Sequence, residues 1–466
     1  MRALTLSLLL LVVMTAGAVG AQQTAGGQPN ACVGTVGEPP ESSTVVSIQG
    51  TRVTPGEVTK EQALLVSFAP DGTVEWVQNS SANGRWWAYD VDPLPDGNLL
   101  YSTTEPGISV VGEFDPNSGE YVWVERFDSA PDSERNPLVV DAHDADLVGD
   151  ELLLVDKGRG HERLLAYNLT TDRVAWEWRF ADHPDAFPRS GGGPPDDWTH
   201  VNDVDRVSED RYMISVRNFD QVAFVNRTTD EVDLTLGADG RHDILYEQHN
   251  PDYLRGPDGE HTVLVADSRN DRVVEYEYDA ASDTWERVWA VGGFDEPRDA
   301  DRLENGNTLV TDRKGHRVVE ITPRGLAVWE VYTPYEPYDA ERNEPGSNGP
   351  TMREQDVTGR FEVSNDAGFT TAEIERCAAG LFGFASDDSG LLGTSRTFFE
   401  NNGSGLTAGA DGTSSSGDAD PSSEASPSGD TDPSGESVLP TGATVVAGTV
   451  VAVLVFGLGL GYRRYG

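Results

Sequence analysis

The chain has 466 residues and an apolar fraction of 37%, enough for a sizeable core, which argues against wholesale disorder. Its charge is extreme: 34 Lys and Arg stand against 79 Asp and Glu, giving a formal net charge of −45. Such a field repels phosphate backbones, so a nucleic-acid partner is disfavoured. The carboxylates run through the whole chain, and the lysines are Lys60, Lys157 and Lys314 alone. This balance is typical of adaptation to molar salt, where screening weakens self-repulsion.

The N-terminal segment has the pattern of a secretory signal. Met1 and Arg2 precede a largely apolar run from Ala3 to Met14, and small residues follow up to Ala21. A basic start, an apolar middle and small residues before a polar stretch predict a signal peptide over residues 1–21, with an uncleaved anchor as the alternative. Residues 22–44 are then expected to form a linker.

A second apolar segment, residues 443–462, carries no charge and is long enough to cross about 30 Å of hydrocarbon as a helix. Arg463 and Arg464 follow it, so the positive-inside rule places this end in the cytoplasm. Residues 401–438 are acidic and rich in Ser, Gly and Asp, and they predict an extended stalk. We therefore expect an exported protein, anchored to the cell membrane by a C-terminal helix with its folded part outside.

The two cysteines, Cys32 and Cys377, bracket the central region of the chain. A disulfide between them and a pair of isolated thiols are both compatible with the sequence, because spacing does not show proximity. Glycosylation sequons fit an exterior location, and they begin at Asn79, Asn168, Asn226 and Asn402.

Internal repetition is the most informative pattern in the chain. Five segments open on one motif, in which a polar or aromatic residue precedes Asp or Asn and a second Asp follows two residues later. These openings, about 50 residues apart, are Tyr89-Asp90-Val91-Asp92, His143-Asp144-Ala145-Asp146, Asn202-Asp203-Val204-Asp205, His249-Asn250-Pro251-Asp252 and Arg298-Asp299-Ala300-Asp301.

Each opening leads through a turn to short β-rich runs, such as Glu151 to Val155 and Thr308 to Thr311, and then to a strand containing Trp. Four short strands in each repeat predict an all-β fold, a six-bladed β-propeller of four-stranded antiparallel blades over residues 45–345. Five or seven blades are the alternatives. We expect strands from a C-terminal extension, residues 346–400, to complete the blade that begins near Thr44.

In a propeller the innermost strands line a central channel, so the residues that open the repeats are expected to surround one mouth of it. These residues are Tyr89, His143, Asn202, His249 and Arg298, with His200 two residues before Asn202. Arg217, at the end of a second strand in the repeat of His200, is a candidate anion ligand because guanidinium binds oxyanions bidentately. The alternative is that each His only hydrogen-bonds a turn. The other five histidines are expected to be exposed in polar turns.

Several segments resemble the PAPS-independent arylsulfotransferases, over roughly residues 45–340. They are His143-Asp144-Ala145-Asp146, Trp198 to Asn218 with its His-x-Asn and Ser-x-Arg elements, Glu247-Gln248-His249-Asn250, Val265 to Tyr276, and Arg302 to Val310. The resemblance is to a haloarchaeal-type, membrane-anchored member, although the N-terminal β-domain of the classical enzymes has little room here and they have no stalk or anchor.

The resemblance implies transfer of a sulfuryl group from a phenolic sulfate ester to a phenolic acceptor, without a cofactor or metal. It implies that His249 is the nucleophile and forms a sulfohistidine, while His143, His200 and Arg217 hold the sulfuryl oxygens and handle the phenol proton. Asn202 and Arg298 join Arg217 as candidate substrate-binding residues. Neutral imidazole is a good nucleophile near pH 7, and nearby cations would stabilise the sulfuryl charge.

Two other functional classes remain open. A non-catalytic cell-surface propeller that binds glycans or proteins would share every argument about the fold. A lactonase would need carboxylates around Ca²⁺ in the channel, and a quinoprotein dehydrogenase more regular Trp motifs than this chain has. The inner Asp residues recur in every repeat, which favours turn-stabilising hydrogen bonds over a calcium site.

Overall fold

The computed structural model describes residues 31–386 apart from 55–56, 61–62, 81–83, 86, 106, 159, 257–258 and 344–347. The predicted signal peptide (1–21), stalk (401–438) and membrane helix (443–462) lie outside these residues. Within the described part of the chain, no helix is long and apolar enough to cross a membrane.

Six antiparallel sheets with a four-stranded core form the blades of a propeller, which confirms the predicted fold and blade number. Blade 1 combines the two ends of the domain: from the channel outward its strands are Glu336–Arg342, Thr44–Gln49, Leu64–Phe68 and Val74–Asn79. A hairpin, Thr51–Thr54 with Glu57–Lys60, is inserted within this blade.

Blades 2 to 6 each use four consecutive strands, ordered from the channel outward. Their bounds are Trp87–Pro93, Leu99–Glu105, Ile108–Asp115 and Glu120–Phe127 in blade 2; Ala145–Val148, Glu151–Asp156, Arg163–Asn168 and Arg173–Arg179 in blade 3; Val201–Ser208, Arg211–Val216, Gln221–Asn226 and Glu231–Gly237 in blade 4; His249–Arg255, His261–Asp267, Arg272–Asp279 and Thr284–Gly292 in blade 5; Pro297–Arg302, Thr308–Asp312, Arg317–Ile321 and Ala327–Tyr332 in blade 6.

The strand that closes the ring differs from the predicted one. Glu336–Arg342 pairs antiparallel with Thr44–Gln49 and ends before residue 345, so blade 1 is not completed by residues 346–400. The C-terminal extension instead contributes Gly359–Glu362, which pairs in parallel with the outer strand of blade 5. Glu336–Arg342 comes shortly after Tyr332, the last residue of blade 6, so a short connection is enough to close the ring.

Both termini of the domain are fastened to its outer face. Strand Val33–Val36 pairs with the outer strand of blade 6, and Cys32 before it forms a disulfide with Cys377 in the helix Thr371–Ser386. The two Cα atoms are 4.6 Å apart, and both cysteines are buried in an apolar cluster. Of the two arrangements that the sequence allowed, a disulfide and a pair of isolated thiols, the structure has the disulfide.

Large aromatic residues on the outer strands lock neighbouring blades together. The indole N–H of Trp289 in blade 5 donates to Pro323 O in blade 6 at 2.7 Å, and that of Trp329 in blade 6 donates to Pro70 O in blade 1 at 3.1 Å. Both rings are fully buried. Truncation of a residue of this size in a core typically costs about 3–5 kcal/mol, so these contacts fix the blade arrangement.

Near the channel, Asp side chains join successive blades rather than stabilising turns within one. Six residues, which lie in the inner strands or (Asp144) directly before one, line the channel together, and we call them the upper ring: Asp90, Asp144, Asp203, Asn250, Asp299 and Asp339. Four of these aspartates accept a hydrogen bond from a backbone N–H of the next blade: Asp339 from Val91 (2.8 Å), Asp90 from Ala145 (3.4 Å), Asp144 from Val204 (2.5 Å) and Asp299 from Ala340. The recurring Asp is thus an inter-blade latch.

The sequon residues fall into two groups. Asn79 is fully buried, so it is not available for modification in the folded protein. Asn168 and Asn226 end third strands, and their side-chain oxygens accept backbone hydrogen bonds from Thr171 and Thr228, which stabilises the following turns. Asn402 lies outside the described residues.

Candidate functional site

One residue of each blade forms a ring at the channel mouth, immediately above the upper ring. The members of this mouth ring are Tyr89, His143, Asn202, His249, Arg298 and Tyr338. The sequence predicted the first five to lie just before the inner strands. All except His143 lie within those strands instead, and Tyr338 of blade 1 was missed.

A β-bulge explains how two successive side chains on these strands reach the channel region. The register between inner and second strands shifts at this level in five blades, for example between Val201 and Asp203 and between Pro297 and Asp299. A bulge adds a residue and re-aims its side chain. Asn202 and Arg298 are such extra residues, each followed by its upper-ring aspartate.

The turns that enter the inner strands have an unusual backbone. Asp141, His200, Glu247 and Glu296 each stand two positions before a mouth-ring residue, and their φ angles are 58°, 44°, 46° and 49°. A non-glycine residue in this region costs on the order of 1–3 kcal/mol and is retained where the surrounding structure enforces it. The same strained turn in four blades therefore determines where the mouth-ring side chains lie relative to the channel.

His143 and His249 are oriented by the same local hydrogen bond. Nδ1 of His143 lies 2.9 Å from Asp141 O, and Nδ1 of His249 lies 3.1 Å from Glu247 O, in each case two residues earlier. Because a carbonyl only accepts, Nδ1 donates in both rings and Nε2 carries the lone pair. Ser268 Oγ gives His249 a second Nδ1 contact at 3.0 Å. Both imidazoles thus present the same tautomer at the channel mouth.

His200 lies beside His143, with ring centroids 5.3 Å apart. Its Nδ1 is 2.7 Å from Asp197 Oδ2 and its Nε2 is 3.3 Å from Lys157 Nζ. An ammonium group only donates, so Nε2 of His200 accepts and Nδ1 donates to Asp197. Both nitrogens of His200 are therefore engaged by neighbouring charges.

Three buried cations surround the histidines although the chain is strongly acidic. Lys157 is 3.1 Å from Asp141 Oδ2, and Arg217 is 2.5 Å from Glu247 Oε2 and 3.2 Å from His200 Nδ1. Arg298 lies against the ring of His249, with its guanidinium 2.8 Å from Nδ1 and in contact with Nε2. Each cation thus touches a histidine or the carboxylate next to one.

Lys157 was not among the predicted site residues. It directly follows the second strand of blade 3, the position that Arg217 occupies in blade 4. Alignment of the ends of the second strands would have identified it. Tyr338 could have been identified from Pro337-Tyr338-Asp339-Ala340-Glu341, which shares Pro, Asp and Ala with Pro297-Arg298-Asp299-Ala300-Asp301 and has Glu in place of the last Asp.

The surroundings shift the protonation equilibria of the site. Burial, with the positive charge of Lys157, lowers the pKa of His143 and that of His200, and Arg217 lowers the latter further. Burial alone would raise the pKa of Asp197, but His200, Lys157 and Arg217 outweigh it and hold that pKa below its usual range. The site therefore contains neutral imidazoles beside ionised carboxylates near pH 7.

Tyr338 lies between the two histidines that share a tautomer. Its ring centroid is 5.7 Å from that of His143 and 6.3 Å from that of His249. The hydroxyl is buried, and no described residue hydrogen-bonds to it. Burial and the nearby aspartates raise the pKa of Tyr338 despite Arg298, so this hydroxyl remains protonated.

Most of the predicted site residues form one series of contacts, which Tyr338 connects. The series runs from Arg217 through His200, His143 and Tyr338 to His249 and Arg298. Asn202 is different: it is fully buried and its amide donates to Gln248 O at 3.0 Å, so it supports the segment of His249.

Of the five histidines expected to be exposed, His242 is exposed, whereas the other four are half-buried: His161, His183, His261 and His316.

Solved structures with a similar chain path share little sequence with this protein. A protein of unknown function from Bacteroides caccae has a TM-score of 0.42 and 15% identity, covering 63% of this chain and 94% of that one. A functionally unknown protein from Desulfotomaculum acetoxidans has 0.41 and 11%, with coverage of 67% and 100%. The periplasmic gluconolactonase of Pseudomonas aeruginosa has 0.40 and 14%, with coverage of 64% and 98%. At this level of similarity they carry no functional argument.

Comparison with curated protein sequences finds no match. The comparison with protein families is more informative. The matched segment runs from the inner strand of blade 2 to that of blade 5 and includes His143, Lys157, His200, Arg217 and His249. Over residues 87–254, the chain matches the arylsulfotransferase (ASST) family.

Proposed function

We propose that this protein is a PAPS-independent arylsulfotransferase, which moves a sulfuryl group from a phenolic sulfate ester to a phenolic acceptor at the mouth ring. The observation that carries the proposal is the pair His143 and His249, two imidazoles in one tautomer, set among three buried cations. The family match over residues 87–254 supports the same reaction class.

His249 is the proposed nucleophile. Its Nδ1–H is held by Glu247 O and Ser268 Oγ, so the lone pair on Nε2 is the group that attacks sulfur. The S–N bond forms as the bond from sulfur to the aryl oxygen breaks, and the donor leaves as a phenolate. Arg298 donates to Nε2 in the structure, so the proposed attack requires its guanidinium to move from that lone pair to the sulfuryl oxygens when the donor binds.

The second half of the reaction needs a base. The acceptor phenol attacks sulfur, the S–N bond breaks, and the phenol proton must go to a neutral group. His143 fits this role because Nδ1 donates to Asp141 O and Nε2 can accept. The proton then passes to the departed phenolate or to solvent, so the overall exchange is balanced without a cofactor.

Lys157, Arg217 and His200 complete the proposed site. The two cations are buried, where their interaction with an oxyanion is less screened than at the surface. His200 connects them, since its Nε2 faces Lys157 and its Nδ1 lies near Arg217. Their proposed role is to hold the sulfuryl oxygens while charge moves between the two aryl oxygens.

The proposed setting is the outer face of a membrane in a saline environment, in a haloarchaeal-type member of the family. The signal-like N-terminus and the apolar segment 443–462 are the sequence evidence for it. The disulfide between Cys32 and Cys377 is consistent with an oxidising compartment.

The test is a transfer assay in molar KCl, with 4-nitrophenyl sulfate as donor and phenol as acceptor. We expect phenol-dependent release of nitrophenol by the wild type and loss of release in His249→Ala. His242→Ala is the matched control, because His242 is exposed and pairs with Asp220 rather than with a mouth-ring residue. Without acceptor, rapid release of one nitrophenol per chain would support the sulfohistidine.

Two results would contradict the proposal, one the reaction class and the other the nucleophile. If folded wild-type protein releases no nitrophenol with a panel of phenols, the reaction class is wrong and a cell-surface binding module becomes the better hypothesis. If His249→Ala retains full transfer while His143→Ala loses it, the reaction class stands and the nucleophile has been misassigned.

A further inference from the structure

Next to the mouth ring, the inner strands line an acidic cavity of about 990 Å³. It is lined by the upper ring and, two residues further along each inner strand, by a second set that we call the lower ring: Asp92, Asp146, Asp205, Asp252, Asp301 and Glu341. Every member of the two rings except Asn250 carries a carboxyl group. The upper ring is buried and the lower ring half-buried.

Four of the five upper-ring carboxyl groups accept a backbone hydrogen bond from the next blade, as described above. The exception is Asp203 of blade 4. By the pattern of the other blades, Asp203 should accept a hydrogen bond from residue 251 of blade 5. That residue is Pro251, which has no N–H. Asp203 is 6% exposed, and its Oδ2 has no hydrogen-bond partner among the described residues.

A second upper-ring side chain, which is uncharged, also has an oxygen without a hydrogen-bond donor. Asn250 is 8% exposed, lines the same cavity, and its Oδ1 likewise finds no donor in the part of the chain that the structure describes. Two adjacent blades thus direct unsatisfied oxygens to one place. A buried polar group without a partner costs on the order of 1–3 kcal/mol, and an unpaired buried charge costs more.

Arginines at the outer end of the cavity do not supply the missing charge. Three arginines line the cavity: Arg302 binds Glu275 at 2.9 Å, Arg342 binds Glu320, and Arg206 is exposed. Their charges also act on Asp252, Asp301 and Asp146 of the lower ring, but three cations face eleven ring carboxyl groups. The field of the rings themselves is repulsive, because like charges face one another across the channel. A cation from solution would relieve both the repulsion and the unsatisfied oxygens.

We propose that this cavity is a binding site for a hydrated divalent cation, Mg²⁺ in particular, with Asp203 and Asn250 at its deep end. No three His, Cys, Asp or Glu residues of the described chain converge closely enough to coordinate an ion directly. Mg²⁺ suits such a site because it keeps several waters and is held through them by carboxylates. The site is separate from the mouth ring and does not depend on the proposed reaction.

The test measures Mn²⁺ binding by electron paramagnetic resonance in molar KCl, with Mg²⁺ as competitor. The variant is Asp203→Asn with Asp205→Asn, and the control is Glu209→Gln with Glu231→Gln. The control removes the same charge from exposed positions of the same blade. We expect the wild type and control to hold a saturable class of Mn²⁺ sites that Mg²⁺ displaces, and the ring variant to bind roughly 10- to 100-fold more weakly.

Thermal unfolding gives an independent measurement. Mg²⁺ should raise the melting temperature of the wild type and control, because a ligand of the folded state stabilises it. The ring variant should melt at a higher temperature than the wild type without Mg²⁺ and gain little from its addition. Pro251→Ala, which restores an N–H opposite Asp203, should also reduce the gain from Mg²⁺.

Three results would overturn the proposal. They are absence of saturable Mn²⁺ binding by the wild type, equal loss of Mn²⁺ sites in the ring and control variants, and an unchanged melting temperature on addition of Mg²⁺. The first and third would mean that the rings are neutralised by protons, and the second would mean that ions collect on the acidic surface.

Discussion

Nζ of Lys157 lies 3.3 Å from Nε2 of His200, so a buried ammonium donates to a buried imidazole and keeps it neutral. The same ammonium is 3.1 Å from Asp141 Oδ2, whose residue also supplies the carbonyl that orients His143. Lys157 therefore links His143 and His200 electrostatically. The side chain of Lys157 is itself buried.

Replacing this cation should impair transfer without removing a histidine. In Lys157→Met we expect kcat/KM for transfer from 4-nitrophenyl sulfate to fall about 100-fold, as for loss of one donor to a developing oxyanion. The pKa of His200 should rise because a positive neighbour is gone, which moves the acidic limb of the pH–rate profile upward. Steady-state kinetics across the pH range measures both effects.

Lys314→Met is the matched control for this substitution. Lys314 binds Glu296 and its side chain is 38% exposed, so the same chemical change there should leave kcat/KM and the pH profile largely unaltered. Equal losses in the two variants would show that lysine charge matters only for folding in this protein.

The low pKa of His200 also predicts a pH dependence of stability. Burial is its largest cause, Lys157 and Arg217 add to it, and Asp197 opposes it. The folded state then binds fewer protons than the unfolded state just below the ordinary value of 6.5. The contribution of His200 to stability is therefore complete above 6.5 and is lost as the pH falls toward the folded-state pKa.

A difference measurement isolates this contribution from that of the many carboxyl groups. Urea unfolding of the wild type and of His200→Gln should be compared from above neutrality down to about pH 5. We expect the stability advantage of the wild type to shrink on acidification within that window. An advantage that stays constant with pH would mean that His200 titrates equally in both states.

The propeller could be predicted from sequence because its signals are local. Strands such as Glu151–Asp156 and Thr308–Asp312 coincide closely with β-rich runs bounded by turns, and each inner strand carries its own Asp motif. His143, His200, His249 and Arg217 could be selected for the same reason, since repeat position alone places them near one mouth of the channel.

Features that depend on two distant segments could not be predicted in this way. The inner strand of blade 1 comes from Glu336–Arg342 and its neighbour from Thr44–Gln49, so neither segment alone has the pattern of a blade. Tyr338 was missed with that strand. The latch role of the Asp motif was missed because its partner is a backbone N–H of the next blade, which no single repeat displays.

Tyr338 gives a prediction in which stability and activity move in opposite directions. Its hydroxyl is buried and lacks a hydrogen-bond partner among the described residues, so Tyr338→Phe should raise the free energy of unfolding by about 1 kcal/mol. If the hydroxyl contacts the sulfuryl group or a phenol, transfer should fall about tenfold, the worth of one hydrogen bond. Denaturant unfolding and the transfer assay measure the two effects.

The same substitution at Tyr89 is the control. The hydroxyl of Tyr89 donates to Asp141, so Tyr89→Phe removes a made hydrogen bond and should destabilise the fold. A fall in stability in both variants would show that the hydroxyl of Tyr338 has a partner outside the described residues, and it would remove the reason for placing this residue in the site.

The disulfide should matter for the stability of the whole ring, because it fastens the N-terminal strand Val33–Val36 and the C-terminal helix at one point on blade 6. Cys32 and Cys377 are 345 residues apart, and cross-links over long loops restrict the unfolded chain most. Reductant should therefore lower the wild-type melting temperature, with a loss of about 2–5 kcal/mol. The chain has two cysteines, so Cys32→Ala with Cys377→Ala should melt at this lower temperature with or without reductant. If the double variant melts like the oxidised wild type, the strand and helix remain docked through apolar packing with Trp329 and Leu381, and the covalent bond is not needed for ring closure.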